Sequence, residues 1–99
     1  MSNDAHRFMV AYDIVNDKRR SHLAVLLQSY GFRVQYSLFQ IDAKPARMER
    51  LFREIEEMVS ASEDSVIVLD LGVASSVEND KVKRIGGKRN RSIESAMVF

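Results

Sequence analysis

The run Phe32-Arg33-Val34-Gln35-Tyr36-Ser37-Leu38-Phe39-Gln40-Ile41-Asp42 alternates apolar and polar side chains until Leu38 and Phe39 fall together. Alternation is the pattern of a strand with one buried face. The slip at Leu38 and Phe39 breaks that period. A tight turn or bulge around Tyr36-Ser37 accounts for it and divides the run into two short strands. One long strand is the alternative. The choice decides the fold, because the flanking segments supply the other strands and the helices.

Upstream, Arg7-Phe-Met-Val-Ala-Tyr-Asp-Ile-Val15 is mostly apolar, as in a central strand buried on both faces. Asn16 or Asp17 then offers a helix N-cap. Leu23, Leu26, Leu27 and Tyr30 fall on one face of an amphipathic helix over Lys18–Tyr30, and Gly31 stands where a C-cap glycine is expected. Downstream, Lys44-Pro45 opens a second helix with proline at its first position. Met48, Leu51, Phe52, Ile55, Met58 and Val59 keep the helical spacing. Ser65–Leu71 reads as another buried strand. With the central run divided, the order is strand, helix, strand, strand, helix, strand. This is an α+β, ferredoxin-like βαββαβ arrangement, with both helices on one face of an antiparallel sheet. The other face is bare and needs a cover. Lys81–Ile85 alternates as a fifth strand would, closed by Gly86-Gly87, and the apolar Ala96–Phe99 ends a polar tail. The whole of 1–99 reads as a single domain, with its core over about 7–72, a final strand over about 81–87 and a tail over 88–99.

A domain of 99 residues leaves much of its surface exposed, and dimerisation is a common remedy. Cysteine is absent, which excludes disulfides, thiolate zinc sites and iron–sulfur clusters and fits a reducing, cytoplasmic setting. No apolar run approaches the roughly 20 residues of a membrane span, and Met1–Asp4 lacks the pattern of a signal peptide. The net charge of +1 hides an asymmetry: residues 81–91 carry +6 and the remainder −5. Such a basic segment either binds an anionic polymer or forms a solvated tail.

Asp13 stands where the first strand hands over to the first helix. An acid there is solvated, caps the helix or holds a cation. Magnesium prefers oxygen ligands and keeps several waters, so one aspartate per chain is a poor cage. Two copies of Asp13 facing each other across a two-fold axis would suffice for one ion. Arg19 and Arg20 open the first helix against the preference of its dipole, which argues for an anionic contact or for pairing with nearby acids. Arg33 is a further phosphate candidate. His6, in the N-terminal arm, and His22, near the start of the first helix, read as partly exposed structural histidines, with general-base work the alternative for His22. Ser37 has no triad companions, and Gly86-Gly87 is too little for a phosphate loop. The glycine-aromatic signature of RNA-recognition sheets is missing.

Tyr12-Asp13-Ile14, Asn16-Asp17-Lys18-Arg19-Arg20, Leu27 to Tyr30-Gly31 and Arg33-Val34-Gln35-Tyr36-Ser37-Leu38-Phe39, in this order and spacing, resemble the Cas-two family of CRISPR-associated proteins. The resemblance covers about residues 8–72, and Lys81–Gly87 is similar to the family's final strand. It implies a ferredoxin-like homodimer whose C-terminal strand pairs with the other protomer's sheet. It implies an endonuclease of single-stranded RNA or double-stranded DNA, dependent on magnesium or manganese and acting in CRISPR adaptation with the integrase. A catalytically silent DNA-binding scaffold within the integrase complex is the alternative. Asp13 matches the family's metal-binding aspartate, one ion being shared by the two Asp13 of a dimer. Tyr12, Arg20, Arg33 and Phe39 fall at or near positions tied to activity. Arg19, Arg20, Arg33, Lys81, Lys83 and Arg84 are the expected nucleic-acid contacts. Gln40 departs from the family, which has an acid there, and the tail 88–99 has no counterpart in the match.

Overall fold

The apolar side chains of the first strand, β1 (His6–Asp13), alternate between two environments. Phe8, Val10 and Tyr12 belong to the main core, whereas Met9 packs with Val34 in a smaller cluster on the opposite face of the sheet. The computed structural model describes residues 4–77 and 81–87. It follows β1 with α1 (Asp17–Gln28), β2 (Phe32–Gln35), β3 (Leu38–Ala43), α2 (Pro45–Met58), β4 (Ser65–Val73) and a short 3-10 turn at Ala74–Ser76. The strands form one four-stranded antiparallel sheet in the order β2-β3-β1-β4. The α+β, ferredoxin-like βαββαβ arrangement is therefore present.

Tyr36 and Ser37 form the turn that divides the central run. The β2–β3 register shifts between Arg33 and Gln35, so a bulge accompanies the turn. The bulge lets Val34 join Met9 on one face while Arg33 pairs with Phe39 in the ladder. Asn16 is the cap of α1: its side chain accepts from the Arg19 N–H at 2.9 Å. Pro45 starts α2, where its missing N–H costs nothing. The helices pack on the sheet through Leu23, Ala24 and Leu27 from α1 and Met48, Leu51 and Ile55 from α2. Tyr30 ties them at the rim: its hydroxyl donates to Glu54 at 3.0 Å, and the Arg47 guanidinium lies 4.4 Å from its ring centroid.

Two local expectations change. Helix α1 ends at Gln28 with Ser29 as its C-cap. Gly31 is required for a different reason than left-handed backbone: a Cβ there would lie 2.0 Å from the Gln40 carbonyl oxygen and 2.9 Å from the Ile41 Cα. The chain leaving α1 passes directly over β3. Lys81–Gly87, expected as a final strand that pairs with a second protomer's sheet, forms no ladder among the described residues of the single chain. A strand exists only against a partner strand, and the segment instead rests Val82 on the Met9–Val34 cluster. It thus lies against the sheet face that carries no helix. The tail 88–99 lies outside the described residues. Among the described residues, no helix is long and apolar enough to cross a membrane.

Gly31→Ala should destabilise the protein by about 1–3 kcal/mol, because the blocking atoms are backbone and cannot rotate away. Urea denaturation checks this; an unchanged midpoint would show that the helix end and β3 can part without cost.

Candidate functional site

Strand alternation divides the expected site residues between the two faces of the sheet. Tyr12 faces the helices and is 7% exposed; the next residue, Asp13, ends the strand on the opposite, helix-free side and is exposed. The Asp13 carboxylate has no hydrogen bond or ion pair among the described residues. It does not cap α1, since Asn16 does. Of the three roles open to an acid at this position, capping is therefore ruled out, and the carboxylate is free for water or a cation.

Tyr12, Arg20 and Arg33 meet in an open pocket of about 320 Å³ between α1 and the β2–β3 turn, with Ser21, Gln28 and Tyr36 also lining it. The Tyr36 carbonyl is its fixed point. It accepts from the Tyr12 hydroxyl at 3.2 Å and from Arg33 Nη1 at 2.8 Å. Burial pushes the Tyr12 phenol above its usual range, so it stays protonated and serves as the donor. The Arg33 guanidinium lies 5.2 Å from the Phe39 ring centroid and 5.8 Å from that of Tyr36, a cation–π arrangement. Phe39 itself is fully buried, stacked beneath Tyr12 at 6.2 Å. It touches Arg33 but not solvent. Arg20 Nη1 donates to the Ile14 carbonyl at 2.9 Å, and its Nη2 pairs with Asp17. Arg20 therefore braces the loop just after Asp13.

Arg19 is engaged elsewhere. Its guanidinium binds both oxygens of Asp64, at 2.8 and 3.2 Å, and Glu63 at 3.0 Å. The Asp64 side chain is wholly shielded from solvent. It also accepts the Val15 N–H at 3.1 Å and the Ser60 N–H at 2.8 Å. Sequence reasoning missed Asp64, which looks like one more acid in a polar turn; no local signal reveals partners 45 and 49 positions away. Lys81 and Lys83 are exposed, Arg84 is half-buried, and none of the three forms an ion pair among the described residues. No group of three or more His, Cys, Asp or Glu side chains suited to a metal ion exists among them.

These features define a class: a small ferredoxin-like α+β protein with an exposed aspartate at the end of its first strand and a two-arginine pocket on the helix side of the sheet. The family described as CRISPR associated protein Cas2 matches over residues 6–78, and the chain belongs to that family. The CRISPR-associated endoribonuclease Cas2 4 of Rhodospirillum rubrum is 40% identical over 63 residues, 64% of this chain and 51% of the relative. The chain thus spans about half the length of that relative. The CRISPR-associated endoribonuclease Cas2 of Geobacter sulfurreducens is 33% identical over 94% of this chain and 97% of its own. Among solved structures, Streptococcus pyogenes Cas2 at pH 6.5 superposes with a TM-score of 0.71 at 27% identity, covering 81% of this chain and 99% of that one. A chain of a partial Cas6-RT-Cas1–Cas2 complex superposes with a TM-score of 0.61 at 31% identity, covering 68% and 79%.

Arg19 and two backbone N–H groups hold the Asp64 carboxyl down at about 2, against an ordinary value of 3.8. A carboxyl acidified by folding stabilises the native state above its unfolded pKa and loses that contribution as pH falls through the folded value. Asp64→Asn should therefore be less stable than the parent at neutral pH, with the gap closing between about pH 4 and pH 2. Denaturation midpoints measured across that range decide the matter. A gap that stays constant would mean that the carboxylate charge is not what the clasp uses.

Proposed function

We propose that the chain is a metal-dependent endonuclease of CRISPR adaptation, acting as a homodimer on single-stranded RNA or double-stranded DNA with the integrase, in the cytoplasm. The carrying observation is the exposed Asp13 carboxylate at the end of β1, which has no partner among the described residues. A single chain offers one such acid, too little for an ion. The donor chemistry fits once a second copy supplies its own Asp13: two hard carboxylates and several waters suit magnesium, or manganese in its place. The ion would supply Lewis acidity and a more acidic bound water. The protein's part is to present Asp13 on a strand end braced by the Arg20 contact to Ile14.

A second copy is favoured by the helix-free face. Ile67 and Leu69 of β4 are 58% and 55% exposed, and Ile85 is 88% exposed. Apolar side chains grouped on one face call for a cover, and an isologous pairing through that face also brings the two Asp13 to the same side. The outer edge of β4 carries no strand among the described residues, so Lys81–Gly87 of a second copy can pair there. Support for the activity comes from relatives named as endoribonucleases, and support for the integrase partner from the similar chain in the Cas1-containing assembly.

The scaffold reading rests on a separate observation. Lys81 and Lys83 are exposed without ion pairs among the described residues, and a basic strip binds duplex backbone without any chemistry.

Asp13→Asn should abolish metal-dependent cleavage and leave the melting temperature unchanged, since the Asp13 side chain has no bond to lose among the described residues. Retained cleavage would overturn the nuclease reading. Parental integrase-dependent insertion by the same variant would establish that scaffolding does not need the acid.

A further inference from the structure

The pocket between α1 and the β2–β3 turn has properties that the Asp13 side of the sheet does not use. Tyr36 is 70% exposed, although it is a large aromatic side chain at the tip of a turn. Its backbone is held by Tyr12 and Arg33 at the carbonyl, and the Ser37 carbonyl next to it accepts the Tyr12 N–H at 3.1 Å. The side chain is thus presented on a rigid turn, with Arg33 near the ring and its hydroxyl against Arg20, and the ring is otherwise open to solvent. An aromatic plate fixed in this way loses little freedom on binding.

The charges around it are unbalanced. Arg33 has no carboxylate partner among the described residues; its contacts are a carbonyl and two ring faces. Among the described residues the only carboxylate that pairs with Arg20 is Asp17, whose side chain is 90% exposed; the other contacts of Arg20, the Ile14 carbonyl and the Tyr36 hydroxyl, are neutral. Ser21 and Gln28 add polar groups to the wall. An exposed aromatic face beside two guanidinium groups is the chemistry that takes a flat base together with its phosphate. A duplex keeps its bases stacked on one another, so only an unpaired nucleotide can use such a plate.

We infer that this pocket holds one nucleotide of a single strand, its base on the open face of Tyr36 and its phosphate between Arg20 and Arg33. The inference rests on the reading of the chain as a nucleic-acid protein and adds a subsite on the helix side of the sheet, across from Asp13. Tyr36 is a binding residue here and takes no part in bond cleavage.

The test is fluorescence anisotropy with the full chain and a labelled single-stranded oligonucleotide, a fully abasic strand of the same length, and a duplex. Tyr36→Leu leaves the turn intact, because Tyr12 and Arg33 bond to the residue-36 carbonyl and not to the ring. The variant should bind the single strand about tenfold more weakly, the scale of one lost base–aromatic stack. Tyr36→Phe keeps the ring and gives up only the hydroxyl's contact with Arg20, a neutral partner, so it should bind like the parent. Neither variant should differ from the parent on the abasic strand or on the duplex. Equal losses on all three nucleic acids, parental binding by Tyr36→Leu, or a parent that binds no single strand would each overturn the subsite. Loss of cleavage in Asp13→Asn alongside parental strand binding by Tyr36→Leu would sink the subsite and spare the nuclease reading. A tenfold base-dependent loss in a protein that cleaves nothing would do the reverse.

Discussion

The alternation of side chains along β1 is the constraint on which the rest of the structure depends. This strand is hydrogen-bonded on both edges, to β3 and β4, so it cannot slip without breaking two ladders at once. Its fixed register sends Tyr12 toward the helices and Asp13 away from them. Adjacent residues thus serve opposite sides of the sheet. The buried phenol organises a turn, and the exposed acid remains unengaged. A shift by one residue would bury a carboxylate and expose the core, which is why the separation of roles is stable.

The two loops beside Asp13 are held by different means. Arg20 reaches the Ile14 carbonyl from the first turn of α1, and Asp64 reaches the Val15 N–H from the connection between α2 and β4. Both contacts satisfy backbone groups that the end of a strand leaves without ladder partners. The β1–α1 loop is therefore bounded on each side by a charged side chain. On the other flank, Tyr12 and Arg33 share a single acceptor, the Tyr36 carbonyl. The arginines of this region divide by function: Arg19 is committed to an internal clasp, Arg20 is partly committed, and Arg33 retains an uncompensated charge.

Much of this was legible in the sequence, for local reasons. The broken alternation at Leu38–Phe39 announces the turn, Pro45 announces the start of α2, and Asn16 is one of two caps the sequence offers for α1. Local pattern also brought Tyr12, Arg20 and Arg33 to attention, although it did not show that Asp13 looks the other way. What the sequence could not supply are contacts between distant residues. Gly31 resembles a helix-ending glycine, yet its requirement comes from Gln40 and Ile41. Arg19 resembles a free cation until its pairing with Asp64 is seen. Lys81–Gly87 has a strand's pattern but no strand beside it among the described residues, because pattern specifies a preference and pairing needs a neighbour.

The Arg19–Asp64 clasp also bears on how the molecule comes apart. Its two partners lie 45 positions apart, so it closes only after the segments between them have been gathered. Contacts completed after the transition state do little for the speed of folding and mainly raise the barrier to unfolding. In a small domain such a long-range clasp would act on the lifetime of the native state more than on the rate at which that state forms.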